Sequence, residues 1–274
     1  MTKNKDYSWD ICNICGSTDY SVCYHFAEFS NRGSSYKDID VIQCKKCGVR
    51  RRKPEVIDEY DDDYHSGYVD QKRQTHPHML SIFSDLMMER IRDFGKPARF
   101  LDVGCSVGTA LNLARSIGFD CVGFDVSKCS VDNAIKMGFE AKYSSDITGA
   151  FEEKTFDIIH CSHVIEHVPN PLLFLAELHS FLKPNGILML ACPNYASLPR
   201  LAKGKKWGLW HLDSHLWQFT KNQMVRLLKE SNYRVAKVRT LHGQSPDSNF
   251  KRLILDIAAL LGYGDGLNII ARKI

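Results

Sequence analysis

"ARFLDVGCSVGTALNLARSIGFDCVGFDVS", Ala98 to Ser127, decides the fold. It opens with a continuous apolar run that reaches Asp102, breaks at Gly104-Cys105-Ser106-Val107-Gly108, and resumes with helical periodicity. A second apolar run, "CVGFDV", then ends on an acid, Asp125. Strand, glycine turn, helix and strand form a βαβ unit, whose two strands are parallel because a helix joins them. Glycine lets a backbone approach a ligand closely. A pyrophosphate fingerprint, Gly-x-Gly-x-x-Gly, would put glycine at position 106, and a Walker loop would need a Gly-Lys-Ser/Thr after its run. This chain has Ser106 and no such lysine. The loop therefore suits a nucleoside but is not tuned to phosphates. Asp125, 21 residues past Gly104 at the end of the second strand, is placed to accept hydrogen bonds from ribose hydroxyls.

A nucleoside held without a pyrophosphate in such a unit points to S-adenosylmethionine. The successive stretches "FLDVGCSVGTAL", "VGFDVS" and "FDIIHCSHVIEHVPNPLLFLAELHSFLKPNGILMLACPN" resemble the motifs of class I S-adenosylmethionine-dependent methyltransferases over residues 97–195, and less sharply to the C-terminus. "HLWQFTKNQMVRLLKESNYRV" and "DEYDDDYHSGY" resemble the subfamily that carries an N-terminal zinc ribbon. Many members of that subfamily methylate sugars or other small molecules in antibiotic, capsule and lipopolysaccharide pathways. The resemblance implies that Asp102, Gly104 and Gly108 hold the methionine end and ribose, with Cys105 as a small buried residue of the same loop. It makes Asp125, with Val126 beside it, the ribose acid, and Asp146 the contact to the adenine amino group. It also brings a backbone carbonyl near Cys161 and Ser162 to the methionine ammonium, and has Tyr64 and Tyr68 reach the cofactor.

Methyl transfer to a hydroxyl needs alignment of nucleophile, carbon and sulfur, and a proton acceptor. "SHVIEHVPNP" places His163, Glu166 and His167 just past the fourth strand, on the rim where open α/β sheets bind ligands. Read as one helical turn, His163 and His167 share a face, and Glu166 is placed to orient a histidine. In resembling sugar methyltransferases the Glu-His pair can act as general base; elsewhere in the family it only shapes the pocket. His167 is the first candidate base. His211 and His215, in "WHLDSHLWQF", are rivals, and the tyrosines remain open. Residues 198–219 form a long connection, and such connections are usually functional. Trp207, Trp210 and Trp217 are suited to stacking on a sugar or base or to packing on the core. Arg200, Lys203, Lys205 and Lys206 are suited to a phosphate.

Upstream, "CNIC" (Cys12, Cys15) and "CKKC" (Cys44, Cys47) are separated by 28 residues, and each is followed at once by a glycine, Gly16 or Gly48. Two such knuckles offer four sulfurs to one zinc. Four unconnected thiols or a redox pair are the alternatives. "YSVCYHFAEF" and "DIDVIQC" alternate like strands, so residues 1–53 read as a zinc ribbon, with Cys23 a packing residue. Residues 54–96 read as an acidic linker bearing Tyr60, Tyr64 and Tyr68, then an amphipathic helix over 79–94, together closing over the cofactor site. Residues 97–274 make the methyltransferase domain.

The expected fold is α/β: a doubly wound, seven-stranded Rossmann-like domain with a small N-terminal zinc ribbon. Its strands are expected near 98–103, 121–126, 140–145, 155–161, 186–192, 233–241 and 267–273, the last two forming an antiparallel edge hairpin with a helix near "KRLILDIAALLG" between them. At 274 residues, 44% hydrophobic and 25% charged, the composition is that of an ordinary globular protein. No apolar run reaches the ~18 residues of a membrane helix. "MTKNKDYSWDIC" lacks an apolar signal core, so the expected compartment is cytoplasmic, without membrane insertion. Ten cysteines in a reducing compartment favour metal binding or burial over disulfides. The net charge of +4 requires no polyanionic partner. Residues 1–70 carry 10 Lys/Arg against 13 Asp/Glu, which argues against a ribbon that grips RNA. The expected activity is O-methylation of a sugar, nucleotide-linked sugar or related metabolite, the acceptor being a small molecule, phosphorylated or nucleotide-linked among the candidates. An RNA methyltransferase is the alternative. A decayed, non-catalytic module is disfavoured by the intact Asp102, Gly104, Gly108 and Asp125.

Overall fold

The computed structural model describes residues 10–31, 34–52, 98–242 and 248–274. Tyr60, Tyr64, Tyr68 and the helix expected over 79–94 lie outside them. The strands are β1 (Tyr20–Asn31), β2 (Ser34–Cys44), β3 (Arg50–Arg52), β4 (Arg99–Val103), β5 (Asp120–Asp125), β6 (Glu140–Tyr143), β7 (Phe156–Ser162), β8 (Leu182–Pro193), β9 (Trp217–Gln218), β10 (Tyr233–Leu241) and β11 (Gly266–Lys273). The helices are α1 (Thr109–Ser116), α2 (Lys128–Lys136), α3 (Pro171–Phe181), α4 (Leu198–Lys203), α5 (Lys221–Glu230) and α6 (Asn249–Leu260).

Seven strands form one sheet in the order β10-β11-β8-β7-β4-β5-β6. Only β11 is reversed, pairing antiparallel with both β10 and β8. The unbroken apolar strands follow from burial on both faces. Phe100, Ile158, Ile187 and Met189 enter one core with Leu111, Ala114 and Ala134 of α1 and α2. Their neighbours Leu101, Val103, Ile159, Leu188 and Leu190 enter the other, with Leu175 and Leu178 of α3 and Met224, Leu227 and Leu228 of α5. The helices start where their side chains cap them. The Ser127 side chain accepts from Ser130 N, Asn170 accepts from Leu172 N and Leu173 N ahead of Pro171, and Thr220 makes a capping box with Gln223. The chain turns back at β4, placing β5 on one side and β7 on the other. The crevice of a doubly wound sheet opens at that switch point, beyond the strands' carboxyl ends.

The N-terminal strands form a second sheet, β1-β2-β3-β9. Its fourth strand comes from the long connection, through Arg50 opposite Gln218 and Arg51 opposite Trp217. Phe26, Ile39 and Val41 pack with Tyr195, Trp207, Trp210 and Leu212. Cys12, Cys44 and Val49 join the larger core beside Trp217 and Phe219.

Candidate active site

The glycine loop follows β4. Gly104 and Gly108 have φ of 77° and 78°, and Ser106 between them has 45°. A Cβ on Gly104 would lie 2.5 Å from Cγ2 of Val164, so the glycine is required by conformation and by contact. That contact presses the loop after β7 against the loop after β4. Asp125 is buried, its Oδ2 accepting from Ser106 N at 2.8 Å and its Oδ1 from Ser127 N at 2.9 Å. These two bonds fix the orientation of the carboxylate at the end of β5. Asp102, also buried, is bonded by Oδ1 to His160 Nδ1 at 2.7 Å on the neighbouring strand. The sequence reading missed His160, whose only signal is its place on β7 across from Asp102 in the parallel register.

Cys105 and Cys161 are buried, and burial first, then the nearby carboxylates, pushes both thiols up. Val126 is half-buried against the larger core. Asp146 closes its own turn, Oδ1 accepting from the amide and hydroxyl of Thr148 at 3.0 Å. Gly104, Cys105 and Gly108 lie in the loop after β4, Asp125 ends β5 with Val126 just past it, Asp146 follows β6 and Cys161 lies near the end of β7.

His163 and His167 do not share a helical face. Residues 163–169 form an irregular turn, in which His163 takes φ of 56° and is exposed while His167 is buried. Valine, proline and a buried acid leave no helical run here. Instead Glu166, 1% exposed, gathers the histidines. Its Oε1 accepts from His163 Nδ1 at 3.1 Å and lies 4.0 Å from His215 Nε2, and its main-chain carbonyl accepts from the amides of Leu216 and Trp217. The His167 and His215 rings meet edge to face at 4.7 Å, and His211 lies 5.0 Å from His215. Glu166, His167 and His215 bring their ligand atoms within 4.8 Å of one another. The two rival base segments, 48 residues apart, are therefore one cluster.

His167 Nδ1 lies 3.0 Å from the Ser214 carbonyl. A carbonyl only accepts, so Nδ1 carries the proton and Nε2 carries the lone pair. Burial lowers the His167 pKa, against the pull of Glu166, and lowers that of His215 well below the ordinary histidine value. Burial pushes Glu166 up, but its bond to His163 and the charges of His163 and His167 outweigh this and hold it below the usual carboxylate range. The cluster thus sets the depressed imidazoles of His167 and His215 beside a buried carboxylate, an arrangement suited to taking a proton.

Beside it runs a cavity of about 490 Å³ between β1 and the connection, lined by Phe29, Lys206, Trp207 and His211 among others. Trp207, Trp210 and Trp217 are buried as packing residues, with indole N–H groups donating to Asp265, Gly204 and Val168. Arg200 donates to the Tyr195 carbonyl and to the Tyr24 hydroxyl, and Lys205 to the His25 carbonyl. Lys203 and Lys206 are exposed.

The knuckle cysteines converge. Cys12 and Cys47 sulfurs are 3.7 Å apart, Cys15 and Cys44 sulfurs 3.5 Å, and all four lie within 4.8 Å of one another. A zinc tetrahedron with Zn–S of ~2.3 Å has an edge of about 3.8 Å, so the set fits that ion. The knuckles match in detail. Gly16 N donates to the Cys12 carbonyl and Gly48 N to that of Cys44, each at 2.8 Å, with the glycines at φ of 71° and 72°. Burial pushes the Cys44 thiol up, but amides of Cys47 and Lys46 and the neighbouring sulfurs bring it to about 7. Cys23 is half-buried and donates to the Val41 carbonyl.

A doubly wound sheet with this glycine loop and an acid closing the second strand defines a nucleoside-binding Rossmann-like domain. The family model described as a methyltransferase domain matches residues 76–238, more than half of the chain, and the chain belongs to that family. It is 32% identical over 113 residues to a ubiquinone biosynthesis O-methyltransferase of Actinobacillus pleuropneumoniae serotype 7, covering 37% of this chain and 47% of that enzyme. It is 30% identical over 120 residues to norajmaline N-methyltransferase of Rauvolfia serpentina, covering 40% and 41%. The chain thus spans less than half the length of these relatives. Its fold is similar to that of the Burkholderia thailandensis 1,6-didemethyltoxoflavin-N1-methyltransferase, whose structure holds S-adenosylhomocysteine, with a TM-score of 0.54 at 16% identity over 86% of this chain and 95% of that one. Among the described residues no helix is long and apolar enough to cross a membrane.

Proposed function

We propose that the chain is an S-adenosylmethionine-dependent methyltransferase that O-methylates a sugar, nucleotide-linked sugar or related small metabolite, with His167 as general base and a structural zinc on Cys12, Cys15, Cys44 and Cys47. The observation that carries this reading is the contact of Gly104 with Val164. It sets the cofactor loop against the turn that bears the proton-accepting cluster. When bound, S-adenosylmethionine supplies an electrophilic methyl group on a sulfonium. Asp125 would hold its ribose, the Gly104–Gly108 loop its backbone contacts, and Asp146 its adenine.

The remaining work falls to the chain's own side chains. Ser214 fixes the His167 tautomer, Nε2 takes the acceptor's hydroxyl proton, and the Glu166 carboxylate stabilises the imidazolium that forms. The cavity beside His211 has the size of small-ligand sites, ~300–1,000 Å³. Its lining sets Phe26, Phe29 and Trp207 beside Lys205, Lys206 and Glu28, which suits a ring-bearing polar acceptor such as a sugar.

The test is a methyl-transfer screen against sugar nucleotides and related metabolites, followed by His167→Ala on the best acceptor. The rate should fall ~10²–10⁴-fold with cofactor affinity unchanged, and the loss should narrow at high pH. A large loss in His215→Ala with none in His167→Ala would move the base to the long connection.

A further inference from the structure

Helix α6 turns its apolar side outward. Phe250, Leu253, Ile254, Ile257, Leu260 and Leu261 recur at i, i+3, i+4, i+7, i+10 and i+11, which is one helical stripe. All six are exposed, Phe250 by 73% and Leu260 by 87%, whereas Ala258 is the only buried residue of the helix. Tyr263 and Leu201 of α4 are exposed too, and α4 abuts the end of α6 because Leu198 N donates to the Tyr263 carbonyl. A contiguous apolar patch of this kind marks an interaction surface.

The charges around the patch choose the partner. The first turn of α6 carries Lys251 and Arg252, both exposed, and the helix has a single acid, Asp256, bonded to His242. The last residue of α4, Lys203, is exposed as well. Two copies meeting here would bring two cationic rims together. An anionic bilayer would instead take the apolar stripe into its interface and the cations onto its headgroups. We propose that α6, with the adjoining part of α4, docks the protein on anionic membrane surfaces without crossing them. Helix α6 is inserted between the end of β10 and the start of β11, where Leu241 pairs with Gly266 and Gly266 with Pro193. That is the rim carrying the candidate active site, so a docked protein would work at the lipid face. The docking itself requires no assumption about the reaction.

The test is flotation of the full chain with mixed phosphatidylcholine–phosphatidylglycerol vesicles and with phosphatidylcholine alone, alongside sedimentation velocity. The protein should bind the mixed vesicles more tightly, and salt should weaken that binding. The double variant Leu253→Glu, Ile257→Glu should keep its circular dichroism and melting temperature and lose binding by about tenfold or more. The proposal is overturned if the wild type does not float, if the variant binds as well as the wild type, or if a wild-type dimer that the variant dissolves accounts for the patch.

Discussion

Glu166→Gln isolates the charge in the histidine cluster. Glutamine keeps the volume and can still accept from His163 Nδ1, so the change removes mainly the negative charge. The ligand atoms of Glu166 and His167 lie within 4.8 Å. At an effective dielectric of ~20, two unit charges at that separation interact by about 3.5 kcal/mol. Burial depresses His167 and Glu166 partly offsets it, so removing the carboxylate should push His167 lower still. The assay is a side-chain NMR titration of the imidazole, assigned by comparison with His167→Ala. Wild-type His167 should titrate below the ordinary ~6.5, and the variant should stay neutral further into acid. Asp213 raises His167 weakly, so Asp213→Asn should give a smaller shift in the same direction. If His167 titrates unchanged or higher in Glu166→Gln, the carboxylate does not stabilise its imidazolium and the proton-handling argument fails. Where proton removal limits turnover, kcat should also fall by about tenfold or more.

Asp125→Ala should weaken S-adenosylmethionine binding by about 2 kcal/mol, roughly thirtyfold, in calorimetry; unchanged affinity would remove Asp125 from the site. Gly104→Ala places a methyl 2.5 Å from Val164 at a φ of 77° and should cost about 1–3 kcal/mol in thermal denaturation. Adding Val164→Ala should recover the contact but not the backbone strain. Metal analysis should return about one zinc per chain, and Cys44→Ser should lose it together with stability; retention of both would dismiss the ribbon as a metal site. Stability should fall as pH drops below about 6.5, because unfolded His167 and His215 then bind protons that their buried, depressed folded forms refuse. The slope should approach ~1.4 kcal/mol per pH unit for each, measurable as urea midpoints across pH 5–8.

Much of the sheet was legible because strands buried on both faces have to be apolar throughout, and the seven central strands fall close to their expected positions. The start of β8 at Leu182, four residues early, was not, because "KPNG" reads as a turn. The two-residue β9 leaves no periodicity to read, and its partner Arg50–Arg52 lies far away in sequence. The tryptophans illustrate the same limit: their spacing fits stacking on a ligand as well as packing, and only the partners of Trp207 and Trp210 decide for packing. The candidate site was legible as two separate histidine segments. Nothing along the chain says that the Glu166 carbonyl ties Leu216 and Trp217 to the first of them, or that Asp102 faces His160.

The strand borrowed from residues 217–218 also imposes an order on biosynthesis. Arg50 is made 168 residues before its partner Gln218, a gap of roughly 10–30 s at ribosomal rates of ~5–20 residues per second. During that interval the four knuckle cysteines are already made, while Trp217, which shares a core with Cys12 and Cys44, is not. Were zinc bound at the knuckles as proposed, its capture and the completion of the N-terminal sheet would be separate events.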